Sequence, residues 1–154
     1  MTAKPARGRA PSLGDVIEIP LDEGTGYARI LPDPLMAFYD VRATAPLDCA
    51  AVVAHPIAFK IWVMHSAISS GRWRIVGNLP LGPELDVAPW FFKQDALSKK
   101  LSLYRDGAGR PATLEECQGL ERAAVWSAEH VESRLSDHLA GRPNKFVESL
   151  RLKA

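Results

Sequence analysis

The chain has 154 residues, 47% of them apolar, and a formal net charge of +1. That length fits one domain with a sizeable core. No apolar run approaches the roughly 20 residues a membrane-spanning helix needs. The charge lacks the basic surplus expected of a protein that binds nucleic acid by neutralising phosphates.

The N-terminal stretch MTAKPARGRAPS is basic and rich in Pro and Ala. It has no apolar segment of the secretory type. It cannot bury enough apolar surface to offset the entropy of ordering, so residues 1–13 are read as a disordered basic arm. Strand patterning begins with GDVIEIPL, where Ile17, Ile19 and Leu21 share a face and Glu18 takes the other. DEGTG at 22–26 supplies turn glycines, and YARIL at 27–31 returns as the partner strand. After PDP at 32–34, LMAFYDV resumes β character, which makes a meander with short connections.

IAFKIWV at 57–63 reads as a strand with Ile57, Phe59, Ile61 and Val63 on one face and Lys60 and Trp62 on the other. The segment SSGRWRIVGNLPL carries glycines and two arginines, Arg72 and Arg74. A phosphate loop needs G-x-x-x-x-G-K-[ST] ahead of a helix. Here Asn78 follows Gly77 and no strand–loop–helix order surrounds it, so Trp73 to Val76 reads as a short strand. WFFKQ at 90–94 and KLSLYR at 100–105 form one more pair, and DGAGRP closes the β region.

The period then changes. Thr113 and Glu116 have the spacing of a capping box. From Leu120 to Ala140, the apolar residues Val125, Ala128, Val131, Leu135 and Leu139 recur at helical steps. The opposite face, with Glu129 and Glu132, reads as solvated. Gly141 and Pro143 end the helix. Strands followed by a helix predict an α+β fold, a mostly antiparallel twisted sheet or small barrel with the C-terminal helix packed on it. One β-rich domain is expected over residues 14–143, with residues 144–154 as a tail.

Chemistry is hard to place on this framework. His130 and His138 are eight residues apart on a helix, too far along its axis to share one ion unaided. His55 and His65 stand near strand ends, and only the fold could bring them together. Ser66, Ser69 and Ser70 lie in no G-x-S-x-G turn. Cys49 and Cys117 form no C-x-x-C pair, and two free thiols in a reducing cytoplasm is the simplest reading. No catalytic residue, metal ligand set or cofactor follows from the sequence. Trp, Tyr and Arg dominate interface hot spots. Arg72, Trp90 and Lys93 are accordingly the candidate partner-binding residues, with Trp62, Trp73 and Trp126 read first as core or edge anchors.

GDVIEIPL, YARILPDPLMAFYDV, SGRWRIVGNLPL, FFKQD and GLERAAVWSAEHVESRLSDH together resemble the immunity protein 26 family. The resemblance implies a largely β, cytoplasmic bacterial protein of a polymorphic toxin system. Such a protein binds and neutralises a cognate protein toxin without catalysis, and engages neither nucleic acid nor membrane. The alternative it leaves is a small phosphotriester (organophosphate) hydrolase or small-molecule-binding protein. That chemistry usually wants metal-activated water.

Overall fold

A computed structural model describes residues 10–32 and 35–153. Most of the expected N-terminal arm, residues 1–9, lies outside the described residues. The architecture is α+β, built on two open sheets that do not close into a barrel. The meander consists of β1 (Asp15–Pro20), β2 (Thr25–Ile30), β3 (Met36–Tyr39) and β4 (Ile57–Val63), each antiparallel to the next. A short helix α1 (Cys49–Val53) links β3 to β4, and α2 (Ser66–Ser69) links β4 to β5 (Arg74–Asn78). β5 returns to pair with β1 rather than β4. After a 3-10 turn at Pro83–Leu85, β6 (Phe91–Gln94), β7 (Leu101–Arg105) and β8 (Ala108–Pro111) form a second antiparallel sheet. DGAGRP therefore does not end the β region: Asp106 and Gly107 turn the chain, and the rest of that segment is β8.

The chain then runs through α3 (Leu114–Cys117), whose capping box is formed as the Thr113 and Glu116 spacing predicts. β9 (Glu121–Arg122) and β10 (Val125–Trp126) follow. These two short strands lie in one extended strap. β9 pairs parallel with β6 of the small sheet, and β10 pairs parallel with β4 at the edge of the large one. The long helix α4 begins only at Ala128, with Ser127 as its cap, and ends at Leu139. The helical stretch expected from Leu120 thus starts eight residues too early, and its stripe loses Val125. Val125 is on a strand and 61% exposed, whereas Val131 and Leu135 are fully buried under the large sheet. Helix α5 (Lys145–Ser149) closes the described chain, capped by Asn144.

Two faces of the large sheet carry separate cores. Ile17, Ile19, Ala28, Ile30, Phe38, Phe59, Ile61 and Trp73 lie under α4, α2 and α5. Val16, Tyr27 and Tyr39 fill the other face, covered by Val52 of α1. The alternation of β1 holds, but that of β4 is broken. A bulge opposite Phe38/Tyr39 sets Tyr39 against Ile57 and skips Ala58. Ile57 consequently leaves the Phe59 face and packs with the Tyr39 and Phe91 clusters instead. In β5, Trp73 supplies the fully buried side chain just before the strand, and Ile75 is only partly buried.

The start of the sheet is held by a buried cation. Arg29 is 2% exposed. Its Nε donates to the Gly14 carbonyl (3.1 Å), Nη1 to the Tyr39 hydroxyl (3.2 Å) and Nη2 to the Leu79 carbonyl (2.7 Å). Gly14 has φ +84° and sits directly against the Leu79 carbonyl, so only glycine fits between the two segments that Arg29 joins.

Candidate partner-binding surface

The three residues proposed from sequence fall in three environments. Arg72 lies beside α4, where Nε and Nη2 each donate to the Glu132 carboxylate at 2.7 Å. Nη1 stands 3.7 Å from Glu129. The guanidinium is therefore committed within the fold, and the α4 face that reads as solvated is partly an ion-pair surface. Trp90 precedes β6 and shares the alternation of Phe92. Arg105 and Arg110 lie over its ring at 5.1 and 5.9 Å. Arg110 also donates to Glu116 (2.8 Å), and that hydrogen bond helps hold the Glu116 carboxyl below its usual range. Lys93 takes the alternation of Phe91, on the opposite face of the small sheet, with Nζ 4.2 Å from the Tyr104 ring centroid. The structure does not bring the three together.

It does bring Trp62, read from sequence as a core or edge anchor, together with two ring residues the sequence reading did not single out. Trp62, from β4, stacks obliquely on Phe91 of β6 (4.3 Å) and meets Tyr104 of β7 edge-on (5.8 Å). Phe91 is buried between the sheets with Leu31, Leu35, Ala37 and Leu85. Tyr104 is half-exposed and Lys93 exposed, so this aromatic row runs from the core to the surface. There it borders a shallow depression of about 690 Å³ edged by Lys93, Lys100, Ser102 and Tyr104, with Gly107 and Gly109 in its wall. Asp95 is the one carboxylate on that border among the described residues. It accepts from the Leu97 and Ser98 N–H groups, and the bonds from Ser98 above all hold its pKa below the ordinary value. Among the described residues no lysine makes an ion pair. A local signal existed. Residues 90–112 hold Lys93, Lys99, Lys100, Arg105 and Arg110 against Asp95 and Asp106, an asymmetry hidden by a net charge of +1.

The histidines do not assemble. His130 stacks on Phe146 (3.7 Å), His138 approaches Asp40 (3.4 Å) and the edge of Phe59, and His65 opens α2. Among the described residues no group of three His, Cys, Asp or Glu side chains could hold a metal ion. Cys49 and Cys117 are free thiols, and burial, aided by Glu116, pushes the Cys117 thiol up. No helix among the described residues is long and apolar enough to cross a membrane.

The immunity protein 26 family model matches residues 12–103. That range runs from the Ser12–Asp15 entry to the large sheet through the Lys93 and Leu103 strands of the small one. The C-terminal GLERAAVWSAEHVESRLSDH stretch lies beyond it. No curated protein and no solved structure matches the chain. The match spans more than half of the sequence and takes in all five strands β1–β5 of the large sheet, β6 and the start of β7, so the chain belongs to the immunity protein 26 family.

Proposed function

We propose that this protein binds a cognate bacterial toxin domain and neutralises it by occupying its surface, with no catalytic turnover. The observation that carries this reading is the family match over residues 12–103. The side-chain arrangement is compatible with it: the histidines are scattered, and an aromatic row flanked by lysines that make no ion pair among the described residues reaches solvent. An inhibitor of a lethal partner needs nanomolar binding or better, about −12 kcal/mol. Such affinity concentrates in a few aromatic and basic anchors.

The test is to search the neighbouring reading frames for a toxin and to co-express that toxin with this chain. Growth is rescued and the two proteins copurify. Single His→Ala changes at His55, His65, His130 and His138 leave rescue intact wherever the variant folds. Stoichiometric metal in the purified protein, with phosphotriester hydrolysis that one of these changes abolishes without unfolding, overturns the reading.

A further inference from the structure

Val125 and Trp62 are register partners across the β10–β4 edge and share a face of the large sheet. Val125 is 61% exposed, and Met64, two residues beyond Trp62 on the same face, is 48% exposed. These side chains, with His65 and Ser66, bound a depression of about 470 Å³ that no carboxylate among the described residues lines. Trp62 connects it to the second depression through Tyr104, where Lys93 and Lys100 stand without a carboxylate partner. The result is a continuous strip crossing from one sheet to the other, apolar and aromatic along its middle and cationic at one end. Contiguous exposed apolar side chains with a polar rim are the anatomy of a protein interface.

The ring geometry argues against a nucleic-acid occupant. Base stacking needs an open aromatic face. Trp62 is tilted against Phe91 and edge-on to Tyr104, while Lys93 covers a face of Tyr104. Charge selects among protein occupants. The lysines attract carboxylates, and like charges brought together at an interface are strongly disfavoured.

Resting on the toxin-binding reading above, we propose that the strip Val125, Met64, Trp62 and Tyr104, flanked by Lys93 and Lys100, is the surface that meets the toxin. The toxin's facing surface is then acidic around an apolar centre. Val125 and Met64 fill that centre, and the two lysines pair with its carboxylates and orient the approach.

The experiment measures affinity for the purified toxin domain by calorimetry at two salt concentrations. Its variants are Lys93→Glu with Lys100→Glu, Val125→Glu, and Arg74→Glu as a charge-reversal control. Arg74 lies on β5, the opposite edge of the large sheet from β10. Melting and near-UV dichroism establish that each variant is folded. The double lysine variant is expected to bind about 100-fold more weakly and with less salt dependence, because it sets like charges face to face. Val125→Glu loses at least about tenfold by placing a charge in the interface centre. Arg74→Glu stays within about twofold, as rim or distant charges do. Unchanged affinity in folded strip variants overturns this surface and leaves the immunity reading standing. Tighter binding by the double lysine variant means a basic partner and also overturns it. Absence of binding by the unmodified protein takes down both readings. Micromolar binding of a dT20 oligonucleotide that the double variant loses would assign the strip to nucleic acid instead.

Discussion

Trp73 and Glu132, far apart in sequence, are joined by a hydrogen bond in which the indole Nε1 donates to the carboxylate at 2.8 Å. Trp73 is fully buried, and the same carboxylate accepts twice from Arg72. Glu132 thereby ties α4 to the chain entering β5 and satisfies the only polar atom of a core indole. Glu132→Ala leaves that N–H unpaired and is expected to cost about 1–3 kcal/mol. Arg72→Ala, which breaks a pair with an exposed guanidinium, should cost under about 1 kcal/mol. Urea denaturation of the two variants checks the order; equal losses would mean the indole bond contributes nothing.

Val125 and Leu135 separate a helical stripe from a strand followed by a helix. Leu135 is fully buried, and Leu135→Ala should cost about 2–5 kcal/mol. Val125→Ala, at an exposed strand position, should stay within about 0.5 kcal/mol. A large loss at Val125 would restore the continuous helix that the apolar spacing suggests.

Gly26 and Leu135 are coupled by space. A Cβ on residue 26 would stand 2.6 Å from Leu135 Cδ2. Gly26→Ala should destabilise by about 1–3 kcal/mol through overpacking. Shortening Leu135 to Ala removes the obstacle, so the double variant should lose less than the sum of the single losses. A thermodynamic cycle measured by denaturant unfolding decides it, and strict additivity would show the contact to be inconsequential.

Arg29 donates to carbonyls from two distant segments and to the Tyr39 hydroxyl. Arg29→Met keeps much of the volume but removes the donor to the Leu79 and Pro80 carbonyls, while the Gly14 carbonyl keeps the Leu79 N–H, at an expected cost of about 1–3 kcal/mol. Hydrogen exchange should quicken at Gly14 and around Leu79 before it does in α4. Uniform exchange would place the effect elsewhere.

The Cys117 thiol is held above its ordinary value, by burial first and by Glu116 second. An unfolded thiol ionises near about pH 8.5. Above that pH the folded chain keeps a proton the unfolded chain releases. Cys117 therefore contributes fully below that pH, and its contribution is lost as pH rises through the folded value. Cys117→Ala should flatten the alkaline fall in the urea midpoint. With a thiol reagent at neutral pH, half-buried Cys49 should react ahead of Cys117.

Local pattern alone determined the meander and the hairpin. Period-two alternation in GDVIEIPL and turn glycines in DEGTG act over a few residues, so they survive reading without the fold. The Thr113–Glu116 cap is equally local, and the quoted β-region motifs carried the family. Tertiary structure alone decided the rest. β9 and β10 are two residues each, too short to show a period, and exist as strands because β6 and β4 offer open edges. Arg134 looks like a solvated helix residue, yet it is buried over Phe59 at 3.8 Å and paired with Glu121. Ile57 changes face because of a bulge set by its partner strand. Trp62, read as a core or edge anchor, becomes a bridge between sheets because a second sheet packs against its face. In each case the deciding partner is distant along the chain, and spacing carries no information about a partner that only folding brings near.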